Sequence, residues 1–159
     1  MSSALAHGTP APGSFGGQEA VPERRHAVFI SDFLHLGRPF HELSALLLDP
    51  VGPWLGAAKR SAAQQRFTLT AGQPRQYDSV VIVPMHWEPI AFERRVPALD
   101  ADIELSSLGA DHCRLSLSGR YRVPLAQLEA NIERLAMHRA AESAMRRFLS
   151  EIAQSLVAP

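Results

Sequence analysis

The sequence predicts an α+β domain in which a curved antiparallel sheet wraps around a long C-terminal helix, with two short helices after the first strand. Segments in which apolar and polar residues alternate fill the middle of the chain, as half-buried strands require. The stretch 125–156 carries apolar residues mostly at steps of three and four, which is typical of an amphipathic helix. A sheet with one apolar face must cover it, and the last helix is long enough to do so.

Composition limits the classes of function. The 159 residues suit one domain, and sixteen basic against sixteen acidic residues leave no net charge, which disfavours broad nucleic-acid binding. No apolar stretch is long enough for a membrane span, and no secretory signal pattern opens the chain. Cys113 is the single cysteine, so an internal disulfide is excluded. We therefore expect a cytoplasmic protein, and the use of arginine in place of lysine suggests a bacterial source.

The chain is expected to divide into a flexible tail over residues 1–25 and a single domain over residues 26–159. Glycine, proline, serine and alanine dominate the first segment. Such a segment buries too little apolar area to offset the entropy cost of ordering its backbone.

The first elements of the domain are a strand and a helical corner. The stretch 26–36 is rich in Val, Ile, Phe and Leu and is predicted as a strand. Pro39 then opens a short helix, which Asp49-Pro50 breaks. A second short helix covers about 54–64.

The middle of the chain is predicted as β structure. Its strands are expected at 66–71, 78–88, 99–105 and 113–123. Pro84 should mark a bulge or an edge. The last two strands alternate so clearly that they predict an antiparallel hairpin, with Asp100, Asp102 and Glu104 facing outward opposite a row of arginines.

The last element is a helix over about 125–156, opened by Pro124. Thirty residues at 1.5 Å each extend about 45 Å, enough to lie across a whole sheet. Its predicted apolar stripe includes Leu125, Leu128, Ile132, Leu135, Met137, Ala141, Met145, Phe148, Ile152 and Leu156.

Four stretches of the sequence are similar to a known superfamily. They are 83–88 (VPMHWE), 98–105 (ALDADIEL), 114–121 (RLSLSGRY) and the helical segment 138–149. Over about residues 26–157 the chain resembles the START/SRPBCC superfamily (helix-grip fold), and within it the small actinobacterial polyketide cyclase/dehydrase-like proteins. The resemblance implies a hydrophobic ligand held between the sheet and the long helix. It implies no general catalytic signature, so function must be argued from the site.

Catalytic candidates are few. His138 and Arg139 lie mid-helix beside small residues, where an arginine would hold a carboxylate or phenolate oxygen and a histidine would act as a general acid–base. The alternative is that one packs under the sheet edge and the other pairs with surface acids such as Glu142. Cys113 falls on the apolar side of its strand and is expected to be an inert buried thiol. The histidine spacing favours no metal site, and no cofactor is expected.

The expected ligand-binding residues share the inward side of the sheet or the adjoining helix. They are Met85, Trp87, Ala101, Ile103, Leu117, Tyr121, Leu135 and Arg139.

Three functional hypotheses follow. The first is a binding module for a small hydrophobic or amphipathic molecule, gated by the corner at 50–54. The second is a cyclase or dehydratase acting on a poly-β-ketone chain, in which His138 and Arg139 polarise a carbonyl. The third is an interaction protein with a collapsed pocket, which a cavity of at least about 300 Å³ would argue against. The partner is expected to be a small hydrophobic molecule, and the protein a monomer or homodimer.

Overall fold

A computed structural model describes residues 25–90, 97–124 and 131–158 and contains six strands and three helices within them. The strands are β1 (Arg25–Leu36), β2 (Phe67–Ala71), β3 (Arg75–Tyr77), β4 (Val80–Pro89), β5 (Leu99–Ser107) and β6 (Cys113–Pro124). The helices are α1 (Phe40–Leu48), α2 (Pro53–Gln64) and α3 (Asn131–Val157). The predicted tail, except Arg25, and the predicted helical turns at 125–130 lie outside the described residues.

All six strands form one antiparallel sheet, in the order β1-β6-β5-β4-β2, with β3 also pairing with β4. The predicted hairpin of β5 and β6 is confirmed, with Asp100 opposite Arg120 on the outer face. The ion contacts of these residues run diagonally or to the strand on the other side: Arg114 lies 3.9 Å from Glu104, and His86 of β4 lies 2.7 Å from Asp100. The outer face is therefore charged and solvated, as its alternation predicts.

Pro84 lies within β4, where neighbouring strands flank it on both sides. Its pairing with β5 continues without a bulge, and its carbonyl accepts a hydrogen bond from the Gly72 N–H on the opposite side. Gly72 falls between β2 and β3, and the pairing register with β4 shifts by one residue from β2 to β3. Because the N–H and C=O of a residue point to the same side in an antiparallel sheet, the missing proline N–H faces this interruption. The predicted irregularity thus lies in the strand opposite Pro84.

The join between α2 and β2 corrects one predicted boundary. Arg66 was predicted to begin the strand, but it ends the helix: its φ is 64°, and its N–H bonds the Ala63 carbonyl. A residue in this left-handed conformation closes the last turn of a helix and turns the chain away from its axis. The strand consequently begins at Phe67. The three-residue strand β3 had no clear alternating signal and was not predicted.

The core lies between the inner face of the sheet and the helices. Alternate residues of β4, β5 and β6 are buried, together with Met145, Phe148 and Ile152 of α3. Helix α3 packs against α2 and β1 and touches β6 and α1, so it closes over the apolar side of the sheet. The predicted stripe is thereby confirmed along the C-terminal half of α3. No helix in the described ranges is long and apolar enough to cross a membrane.

Candidate functional site

A cavity of about 370 Å³ lies between the inner face of the sheet and α3. Both sides contribute mostly apolar side chains. The sheet side is lined by Ile30, Phe67, Trp87, Leu99, Leu117 and Tyr121, with Pro97 before β5. The helical side is lined by Met137, Ala140, Ala141, Ala144, Met145 and Phe148 of α3 and by Ala62 and Gln65 at the end of α2.

Small residues on α3 leave this space open. Ala140, Ala141 and Ala144 present only methyl groups to the cavity, whereas Phe148, one turn further along, fills the space beneath it. A helix side chain reaches toward the sheet according to its length, so consecutive alanines on one face leave a gap that larger residues would close. The cavity therefore follows directly from a local change in residue size along one helix.

The cavity has a closed end and an open end. At the closed end Trp87 meets Phe148 edge-on, with ring centroids 4.9 Å apart and an interplanar angle of 72°. Both side chains are buried. Ala140, by contrast, is exposed although it lines the cavity, so the opening lies beside the first described turns of α3. Edge-to-face packing joins the sheet to the helix here and fixes the depth of the cavity.

A short chain of polar groups begins at Tyr121, which lines the cavity, and continues through His138 and Glu142 of α3, which are not among its lining residues. Tyr121 of β6 is 4% exposed, and its hydroxyl lies 3.3 Å from Nδ1 of His138. Nε2 of His138 lies 3.4 Å from a carboxylate oxygen of Glu142, one turn along α3. Burial, assisted by the negative charge of Glu142, raises the pKa of the Tyr121 hydroxyl above its usual value. Tyr121 therefore remains a neutral phenol near pH 7 and can take part in hydrogen bonds without becoming a base.

The predicted ligand-binding residues fall into three groups in the structure. Trp87, Leu117 and Tyr121 line the cavity. Met85, Ala101 and Ile103 are buried on the inner side of the sheet but do not line it.

The remaining two, Leu135 and Arg139, lie on exposed parts of α3, and Leu135 is 52% exposed. A helix turns about 100° per residue, which places Leu135 about 120° and Arg139 about 160° around the axis from Ala141. Of the predicted catalytic pair, His138 contacts Tyr121 while Arg139 is exposed.

Several residues that line the cavity were not predicted as ligand-binding residues. Met137, Ala141, Met145 and Phe148 were on the predicted helical stripe, and the run of alanines indicated where a gap would open. Ile30 and Phe67 carried no separate signal, because alternation alone places a residue on the inner face without locating the cavity on that face.

None of the residues of the corner at 50–54 is among the described residues that line this cavity, so the lining gives the expected gate no support. Trp54 of that corner is fully buried, and its indole N–H donates to the Asp49 carbonyl at 3.1 Å. Within the corner, Trp54 is therefore packed into the core, whereas Val51 is 87% exposed.

Cys113 is likewise a packed group. Its side chain is fully buried, its thiol donates to the Arg38 carbonyl at 3.4 Å, and burial raises the pKa of the thiol. A protonated, enclosed thiol is a poor nucleophile.

A larger, open concavity of about 910 Å³ lies against the outer face of the sheet. Its lining includes the His86–Asp100 pair and Arg120, and backbone and side-chain edges of Met85 and Ala101 reach it. The side chains of His86 and Asp100 are 44% and 59% exposed. Charged, solvated walls do not enclose a ligand, so the smaller inner cavity is the better candidate site.

No protein-family model matches the sequence, and no curated protein matches it. Among solved structures, norcoclaurine synthase from Thalictrum flavum is similar with a TM-score of 0.47 and 10% identity, each chain being covered over 100% of its length.

Two further solved structures are similar. A hypothetical protein from Helicobacter pylori has a TM-score of 0.48 and 10% identity, covering 99% of this chain and 98% of its own. An aromatase/cyclase from a Streptomyces species has a TM-score of 0.34 and 15% identity, covering 84% of this chain and 98% of its own. The curved antiparallel sheet closed by a long C-terminal helix is the helix-grip fold that the START/SRPBCC resemblance implies.

Proposed function

We propose that this protein binds a small, mostly apolar molecule carrying a polar group in the cavity between the sheet and α3. One observation carries the proposal: a largely apolar space, closed at one end, whose lining includes the phenol of the buried Tyr121 and the amide of Gln65. A mostly apolar lining with few polar groups is typical of small-molecule sites, in which the apolar walls supply affinity and the polar groups fix orientation.

The size of the cavity agrees with this proposal. Its volume of about 370 Å³ is close to the lower end of the range of about 300–1,000 Å³ for ligand pockets. At about 30 Å³ each, some twelve water molecules would occupy the same space. Apolar walls offer water few hydrogen-bond partners, so replacing water with a ligand gains about 25 cal/mol for each Å² of apolar surface buried.

Two other functions compete with this proposal. A cyclase or dehydratase acting on a carbonyl-rich chain is favoured by the Tyr121–His138 contact, which places an acid–base group next to a lining residue. The exposed position of Arg139 removes the second half of the predicted catalytic pair from the wall. An interaction protein with a collapsed pocket is disfavoured, because the cavity exceeds the volume of about 300 Å³ that separates the two readings.

A matched pair of substitutions on α3 tests the binding proposal. Ala144→Phe places a ring in the cavity, whereas Ala136→Phe adds the same ring to an exposed position on the same helix. The apolar dye N-phenyl-1-naphthylamine, whose fluorescence rises in apolar surroundings, serves as the probe. We expect the wild type and Ala136→Phe to bind the dye and Ala144→Phe to bind it at least tenfold more weakly. Equal binding by all three folded proteins would place the dye elsewhere and refute the proposed site.

A competition assay then addresses the class of ligand. Fatty acids, aromatic acids and polyketide-like aromatics are titrated against the bound dye and followed in parallel by thermal shift. A ligand at a hundred times its dissociation constant stabilises the folded state by about 2.7 kcal/mol, which a melting experiment detects readily. Failure of every class both to displace the dye and to raise Tm would count against ligand binding as the function.

A further inference from the structure

The Tyr121 hydroxyl has a hydrogen-bond direction that depends on its neighbour. A hydroxyl donates one hydrogen bond and accepts others, while each histidine nitrogen either donates or accepts. The hydroxyl of Tyr121 lies 3.3 Å from Nδ1 of His138, and the ring is therefore its immediate partner. Whichever of the two atoms donates in this contact determines what Tyr121 can offer to a ligand.

Glu142 determines the arrangement when His138 is neutral. Its carboxylate oxygen lies 3.4 Å from Nε2, so a proton on that nitrogen is favoured by the negative charge. Nδ1 then carries a lone pair and accepts a hydrogen bond from the Tyr121 hydroxyl. The cavity consequently faces only the lone pairs of the Tyr121 oxygen, which accept a hydrogen bond from a ligand.

Protonation of His138 reverses this arrangement. Both ring nitrogens then carry protons, and Nδ1 donates to the Tyr121 oxygen. The Tyr121 hydroxyl then no longer donates to the histidine ring, and it can donate a hydrogen bond to a ligand oxygen. The Glu142 carboxylate faces Nε2 in this state as well and accepts a hydrogen bond from it.

We infer that Tyr121 selects ligands according to whether their polar group donates or accepts a hydrogen bond. The protonation state of His138 determines which of the two Tyr121 prefers. A ligand whose polar group only accepts, such as a ketone, binds the form with charged His138. A ligand whose polar group can also donate, such as an alcohol, binds the form with neutral His138 as well as the form with charged His138. This inference rests on the proposed binding function and adds the specificity-determining residue and the ligand chemistry.

The surroundings of His138 in the described residues leave Glu142 as the charged group in direct contact with it. From β6 the neutral phenol of Tyr121 faces the ring. Charged side chains of α3 contact other elements two turns or more further along the helix: Arg146 pairs with Asp32 of β1, and Arg147 contacts Gln64 of α2.

The experiment uses two probes with the same carbon skeleton. 2-Acetylnaphthalene carries a ketone, and 1-(2-naphthyl)ethanol carries the corresponding alcohol. Their dissociation constants are measured with the full-length protein from pH 5 to pH 8, the range in which histidines change charge. We expect the ketone to bind about three- to tenfold more weakly at pH 8 than at pH 5, as loss of one buried hydrogen bond predicts, and the alcohol to change less than twofold.

Two variants separate the role of His138 from a purely structural one. His138→Gln supplies an amide that donates and accepts at every pH, so both probes should bind with flat pH profiles. Tyr121→Phe keeps the ring but removes the hydroxyl, and the ketone should lose its pH dependence. Circular dichroism and thermal melting establish that each variant folds.

The outcomes distinguish the inference from the function beneath it. If neither probe binds at any pH, while N-phenyl-1-naphthylamine does, Tyr121 does not select these ligands and the inference is overturned with the cavity intact. If both probes bind with identical pH profiles, or if His138→Gln keeps the wild-type profile of the ketone, the inference fails and the binding function stands. If the probes and the dye all fail to bind, both fall.

Discussion

Gly119 is the position at which a single methyl group should damage the sheet most. It lies in β6 opposite Ala101 of β5 and Ile30 of β1. A Cβ at Gly119 would lie 2.6 Å from the Ala101 Cβ, 2.9 Å from the Asp100 carbonyl oxygen and 3.1 Å from a Leu99 methyl group. Carbon atoms pack at about 3.5–4.0 Å, so the two strands would have to separate.

The size of the effect follows from two opposing contributions. Overpacking a core position costs about 1–3 kcal/mol, while replacing glycine restricts the unfolded chain and returns about 0.4–1 kcal/mol. We therefore expect Gly119→Ala to lower the free energy of unfolding by about 1–2 kcal/mol. At about 2–4 °C per kcal/mol for a chain of this size, Tm should fall by about 2–8 °C.

Urea denaturation and thermal melting measure this loss, and Gly37→Ala is the matched control. A Cβ at Gly37 would meet nothing within 4 Å, so that variant should be as stable as the wild type or up to about 1 kcal/mol more stable. Ala101→Gly in the Gly119→Ala background removes the closest contact and should recover part of the loss. The reasoning is refuted if Gly119→Ala unfolds with a free energy equal to or above that of the wild type.

Three further predictions concern buried side chains. Phe148→Ala should cost about 3–5 kcal/mol in urea denaturation, because the ring is 2% exposed and packs against Trp87; a cost below about 1 kcal/mol would contradict that packing. Cys113 should react with iodoacetamide at pH 8 only in urea, since burial both encloses the thiol and raises its pKa; rapid labelling of the folded protein would show that it is accessible. Burial raises the pKa of Tyr121 in the folded state, so above about pH 10 the tyrosine loses its proton first in the unfolded chain, and the free energy of unfolding falls as pH rises. Urea denaturation at pH 9 and pH 11 should therefore show a smaller fall in unfolding free energy for Tyr121→Phe than for the wild type. An equal fall in both proteins would contradict the raised pKa.

The strands and helices were largely predictable because their signals are local. Alternation in β5 and β6 placed Ile103 and Leu117 on the inner face, and both are fully buried. Proline and glycine at the helical corner located the break between α1 and α2. The exceptions have local causes too. Arg66 takes a left-handed conformation that is not expected of an arginine, and β3 is too short to show an alternation of apolar and polar residues.

The candidate site was only partly predictable because a cavity is an absence of atoms between elements distant in sequence. Trp87 and Tyr121 were expected at its wall, and they line it. Leu135 was expected there as well, but the stripe drifts around α3, and the helix turns that side chain into solvent. No local pattern reports the distance between α3 and the sheet, which depends on side chains of both.

The sequence by itself determined which residues of the strands face inward, since a period of two follows from backbone geometry that each segment carries alone. It also determined that α3 must cover the sheet, because no other segment has an apolar stripe of that length. Tertiary structure decided where the cover leaves a gap, and it brought Tyr121 of β6 to His138 of α3 across that gap. The physical reason is that side chains from several elements together fill the space between α3 and the sheet. A run of alanines on the helix opens a cavity only if the side chains of the facing strands do not fill that space.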